Sequence, residues 1–170
     1  MKDLVGRVHT TCGQESLQVG SSIGQALASG CVVYLLGKLG AGKTTLSGGI
    51  LQGLGHFGVV KSPTYSLVEP YQLANETLFH FDLYRLGSAG ELEGFGGRDY
   101  FDSGAICLIE WPERGAGVIP APDLVIQLEQ GDKTSDHRII TVASASSIGR
   151  VICDALKEAG QLDWEWSFRG

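Results

Sequence analysis

The string GKLGAGKT at residues 37–44 constrains this chain more than any other feature. It fits G-x-x-x-x-G-K-[ST], follows the apolar run CVVYLLG at residues 31–37, and opens the segment TTLSGGILQGLG. A short β-branched and aromatic run cut by glycine reads as a strand buried on both faces. The segment after Lys43 reads as a helix ending near Gly53 or Gly55. Glycines between strand and helix let the backbone curl so that successive N–H groups point inward, and the helix N-terminus adds partial positive charge. Twenty-five glycines in the chain make two of them five apart unremarkable, so the Gly-Lys-Thr triplet at the junction carries the motif.

This corner predicts a site for the phosphates of a nucleoside triphosphate, with ATP and Mg²⁺ as the expected ligands. Gly37, Lys38, Leu39, Gly40, Ala41 and Gly42 wrap the phosphates, and Thr45 completes the binding set at the helix start. Lys43 reaches the β and γ phosphates, and the Thr44 hydroxyl holds the metal. Two acids compete for the remaining metal role. Glu110 ends the buried run AICLIE, where parallel strands bring their carboxyl ends to one sheet edge. Asp82 lies late in LFHFDLY, whose alternation puts Phe79, Phe81 and Leu83 on one face and His80, Asp82 and Tyr84 on a polar one. Asp82 could also orient or deprotonate water, or simply pair with Arg85; His80 reads more readily as a hydrogen-bonded core histidine than a catalytic one. Ser62, Pro63 and Thr64 form a polar turn that is either ordinary or a γ-phosphate sensor. Trp111 is either a half-buried core aromatic or a ring close to the nucleotide.

A length of 170 residues suits a single domain, residues 1–170, with a core large enough to fold without staples. The formal charge of −6 disfavours a surface built to wrap nucleic acid, so any RNA contact is expected to be local or through a partner. No apolar stretch approaches the roughly 20 residues that span a bilayer, and the N-terminus has no apolar signal core, so the expected compartment is the cytoplasm, without membrane contact. Cys12, Cys31, Cys107 and Cys153 lack metal or redox spacing; Cys31 and Cys107 sit in apolar runs and read as buried thiols. A helix over residues 16–29, a hairpin turn at LANET, strands at PDLVIQLE and HRIITVA, and a closing helix in SSIGRVICDALKEAG complete the reading.

GxLGAGKTT, VKSPTYSLVEPY, HFDLYRL, ELEGFGGRDYF and ICLIEWPERG occur in the order and phrasing of one family. Over residues 35–122 the chain resembles TsaE (also called YjeE), the small bacterial ATPases required for threonylcarbamoyladenosine modification of tRNA. The resemblance implies that Lys43 and Thr44 serve the phosphates and Mg²⁺ and that Glu110 is the metal-binding acid. It implies that Thr64 belongs to a switch-like turn, that Asp82 serves hydrolysis, and that Trp111 lies near the nucleotide. The implied partners are the transferase TsaD and its companion TsaB, with hydrolysis resetting their complex between turnovers. Lys38 departs from the acidic or small polar residue usual at that place in the family, and WEWSFRG at the C-terminus has no counterpart there.

The expected architecture is a P-loop NTPase-like α/β three-layer sandwich, its mixed sheet parallel at the centre and antiparallel at the edges. Two rival functions stand beside ATP hydrolysis. A small-molecule kinase needs a cationic lid, and the arginines here are scattered. A non-catalytic nucleotide-sensing module would keep residues 37–44 without turnover. A GTP switch is disfavoured because no N-K-x-D motif occurs.

Overall fold

The computed structural model describes residues 3–63, 65–132 and 135–169. Eight strands form one sheet: β1 (Asp3–Thr10), β2 (Val32–Leu36), β3 (Val68–Gln72), β4 (Thr77–Asp82), β5 (Ile106–Glu110), β6 (Leu124–Gln130), β7 (Arg138–Ser144) and β8 (Glu165–Arg169). Their order is β3-β4-β5-β2-β6-β7-β1-β8. The central four, β4, β5, β2 and β6, run parallel. The outer pairings are all antiparallel, as expected for the mixed sheet.

Helices α1 (Gly13–Ala26), α2 (Lys43–Gly53) and α5 (Ser147–Ala159) cover one face. Their Ile23, Leu46, Ile50 and Leu156 pack with Leu35, Leu108, Ile126 and Val142 of the sheet. The short helices α3 (Ala89–Gly94) and α4 (Gly97–Phe101) cover the other face, where Leu92, Tyr100 and Phe101 meet Phe81, Cys107 and Ile109. Strands with both faces covered have to be apolar throughout, which is why ICLIE is buried at every residue. Removing one such side chain, as in Ile109→Ala, costs about 2–5 kcal/mol.

Helices α1 and α2 touch backbone to backbone. A Cβ at Gly20 would lie 2.5 Å from the Leu46 carbonyl oxygen, so only glycine permits this approach. The close packing fixes α2, and with it the anion-binding corner, against the rest of the domain.

The predicted strands at residues 31–37 and 105–112 and the closing helix are present, trimmed by a residue or two at their ends, and the PDLVIQLE and HRIITVA strands start later than read and run one residue further. Helix α1 starts at Gly13 and ends at Ala26, three residues earlier at each end than its apolar spacing suggests. Within LANET, Leu73 N–H donates to Glu76 O and closes the β3–β4 hairpin. One expectation needs correction. Phe79, Phe81 and Leu83 do share a face, but on the face predicted to be polar only Tyr84 is open, at 39% exposure: His80 is 0% exposed and Asp82 6%. Leu78 on that face belongs to the core under α1 and α2, and His80 is the hydrogen-bonded core histidine its position suggested. WEWSFRG supplies β8, an edge strand whose Trp166 lies over Gly6 of β1.

Candidate functional site

Residues 37–42 connect β2 to α2 in the conformation the motif predicts. Gly42 caps α2 at φ 102° and Gly40 sits at φ 79°, a region L side chains rarely adopt. Lys43 is the first helical residue and is buried, while Thr44 is exposed and Thr45 half-buried beside it. The Lys43 Nζ donates to Gly37 O at 2.6 Å and Lys38 O at 3.1 Å, and lies 4.6 Å from the centre of the Trp111 ring. The ammonium is thus folded over its own loop, held by two carbonyls and an aromatic face. Lys38 and Leu39 are exposed, so the charge at Lys38 faces outward.

The two acids come from neighbouring parallel strands. Asp82 and Glu110 are register partners at the carboxyl ends of β4 and β5. Asp82 accepts from Ser62 Oγ at 2.9 Å through Oδ2 and from Tyr84 N–H at 3.0 Å through Oδ1. Glu110 Oε1 lies 2.8 Å from His80 Nε2, and both residues are buried. Gly40, Gly42, Lys43, Thr44, Ser62, Asp82, Glu110 and Trp111 all line one cavity of about 470 Å³. A larger cavity of about 520 Å³ lies at the opposite edge of the sheet, around Asn75 and Ser103. No lysine or arginine lines it, so it lacks the cation a phosphate needs.

Two non-glycine residues at positive φ flank the first cavity, Trp111 at 55° and Leu67 at 62°. Such backbone costs of order 1–3 kcal/mol and persists where neighbours over-determine it. Trp111 immediately follows Glu110, and its ring packs 4.9 Å from that of Tyr84. Leu67 accepts from Asp82 N–H at 2.9 Å and donates to Pro63 O at 3.1 Å, tying Pro63 to the end of β4. Thr64 lies outside the described residues.

Among the described residues no cluster of three or more His, Cys, Asp or Glu could hold a metal by protein ligands alone. Mg²⁺ does not require one. It is held by one or two carboxylates or a hydroxyl, phosphate oxygens and water, and Thr44 with Glu110 or Asp82 in one cavity suits that donor set.

Arg138 is a residue the sequence reading missed. From the start of β7 its Nε donates to Ala41 O at 2.8 Å, and its Nη1 to Ser135 O and His137 O. It belongs to no motif, and its contact with the loop spans 97 residues of sequence. The cysteines behave as read: burial pushes the thiols of Cys31 and Cys107 up to about 12, and that of Cys153 likewise.

Known proteins resemble the chain in this frame. The family model of the threonylcarbamoyl adenosine biosynthesis protein TsaE matches residues 10–140. The tRNA threonylcarbamoyladenosine biosynthesis protein TsaE of Haemophilus influenzae is 51% identical over 124 residues, covering 73% of this chain and 77% of that one. Its counterpart in Bacillus subtilis is 35% identical over 128 residues, 75% and 78% of the two chains. The crystal structure of Bacillus subtilis YdiB superposes with a TM-score of 0.77 at 27% identity, over 94% of this chain and 97% of that one. By the family model and these relatives, the chain belongs to the TsaE family of threonylcarbamoyladenosine biosynthesis proteins.

Proposed function

We propose that this chain is a cytoplasmic ATPase of the tRNA threonylcarbamoyladenosine system, and that its hydrolysis of ATP supports turnover of a TsaB–TsaD transferase complex. The observation that carries the reading is the meeting of Lys43 and Thr44 with two buried carboxylates, Asp82 and Glu110, in one cavity. In that arrangement the backbone N–H groups of residues 37–44 take the phosphates. Lys43 leaves the Gly37 and Lys38 carbonyls to meet the β and γ phosphates. Thr44 and Glu110 would hold Mg²⁺, which supplies charge neutralisation at the phosphate oxygens. Asp82 is left to orient the attacking water, and its own position is held by Ser62 and Tyr84 N–H.

Hydrolysis by the chain alone is slow in this reading. Arg85 lines the cavity, but its guanidinium stacks 4.9 Å over the ring of Tyr65, and Arg138 is engaged behind the loop. Charge developing in phosphoryl transfer therefore lacks a positioned guanidinium, the element that a partner most often supplies. No described helix is long and apolar enough to cross a membrane, in keeping with action on a cytoplasmic complex.

Complementation tests the pathway role. In bacteria depleted of their own TsaE, this chain restores threonylcarbamoyladenosine in digested tRNA, read by mass spectrometry, and Lys43→Ala does not. Equal restoration by both proteins refutes the role assigned to the nucleotide site.

A further inference from the structure

His80 is wholly buried in β4, two residues before Asp82. Its Nε2 meets Glu110 Oε1 at 2.8 Å, while its Nδ1, also buried, has no hydrogen-bond partner among the described residues. An ionised carboxylate only accepts, so the Nε2–H tautomer fits the pair and Nδ1 is left as a bare acceptor. A buried polar atom without a partner costs stability. An aliphatic side chain such as Leu would fill the same space without that cost. Packing therefore does not account for histidine here, whereas the single bond to Glu110 does.

We propose that His80 is a positioning residue for Glu110. It holds Oε1 by one hydrogen bond from inside the core and leaves Oε2 as the oxygen available to a cation at the cavity. The two residues sit on adjacent strands, β4 and β5, so the bond is fixed by the sheet and not by a mobile loop. A carboxylate free to rotate about its terminal torsion would present a hard cation with a poorly defined ligand; one donor on one oxygen removes that freedom. The inference rests on the proposed metal role of Glu110.

Calorimetric titration of ATP, with Mg²⁺ varied and with Mg²⁺ chelated, separates the two ideas. In His80→Leu, the Mg²⁺ concentration needed for half of the metal-dependent gain in ATP affinity should rise about 10- to 100-fold, the usual loss when such a supporting bond is removed. Metal-free ATP affinity should stay within a few-fold of wild type. His80→Gln, whose amide nitrogen can take the place of Nε2, should restore most of the metal response. His80→Asn, whose amide corresponds to Nδ1 and stops short of Glu110, should not, and it serves where His80→Leu does not fold. Wild-type Mg²⁺ response in the folded Leu or Asn variant, together with an altered response in Glu110→Gln, overturns the inference alone. An unaltered response in Glu110→Gln overturns the metal role of Glu110 and the inference with it.

Discussion

Ser62 Oγ donates a 2.9 Å hydrogen bond to Asp82 Oδ2, joining the turn that leads into β3 to the end of β4. Because Asp82 Oδ1 accepts from Tyr84 N–H as well, the carboxylate is held at both oxygens. A group so restrained suits the placing of a water molecule. In the proposed reading Lys43, Thr44 and Glu110 already serve the phosphates and the metal.

Asp82→Asn should therefore keep ATP affinity within a few-fold of wild type and cut partner-stimulated hydrolysis by about 10²–10⁴, the range for losing a positioned acid-base group. Asn retains one oxygen to accept from Tyr84 N–H, so residual activity would mark orientation over proton abstraction. Nucleotide affinity and single-turnover hydrolysis, measured with the partner complex present, check it. A collapse in affinity with a normal hydrolysis step would make Asp82 a binding residue.

Lys43→Ala removes the cation now held by the carbonyls of Gly37 and Lys38. A charge-assisted contact is worth about 1.5–3 kcal/mol, so ATP affinity should fall about ten- to a hundredfold or more. Calorimetry on a variant with a wild-type circular dichroism spectrum reads the effect. Unchanged affinity there would remove the loop from the account.

Arg138 should matter to the same loop from behind. A trans peptide holds C=O and N–H on opposite sides, so anchoring Ala41 O on Arg138 aims the Gly42 N–H the other way, where the proposed reading has it meet a phosphate. One hydrogen bond contributes about 0.5–1.5 kcal/mol, so Arg138→Ala should weaken ATP binding about two- to tenfold. The Gly42 amide resonance should shift as well. An unmoved resonance with wild-type affinity would leave Arg138 a surface residue only.

The thiols give a check on the core. Cys12 is exposed, while Cys31, Cys107 and Cys153 are buried, with thiols pushed up to about 12 by burial. Near pH 8 an alkylating agent should modify one thiol in the native protein and four in denaturant, counted by mass spectrometry. The sign of the linked pH effect follows from the raised values. The folded state keeps these protons that the unfolded state releases above about 9, so their stabilising effect is complete below pH 9 and is lost as pH rises towards 12. Ready alkylation of Cys107 in the native state would mean that the α3–α4 layer opens.

Much of the site was legible because its residues lie in contiguous strings whose spacing has a physical meaning. GKLGAGKT forms its corner locally, and the parallel-strand rule brings Asp82 and Glu110 to one edge. His80 was harder to read. Alternation tells which residues share a strand face but not what covers it, and here α1 and α2 close the face predicted to be polar. Arg138 was illegible for a different reason: its contact with Ala41 depends on β7 lying two strands from β2 in the sheet. The strand β1 and the edge strand β8 were missed because both are mixed-polarity segments, with Gly6 and Arg7 interrupting one and Glu165 and Arg169 the other. They are recognisable once β1 pairs with β7 and β8 adds to its free side.

Phosphate release from ATP, measured for this chain with and without a TsaB–TsaD complex, tests the central claim most directly. The account predicts slow release by the chain alone, clear stimulation by the complex, and loss of the stimulated rate in Lys43→Ala. No release above background with the complex present, from a chain that still binds ATP, would contradict it and leave a nucleotide-sensing module in its place.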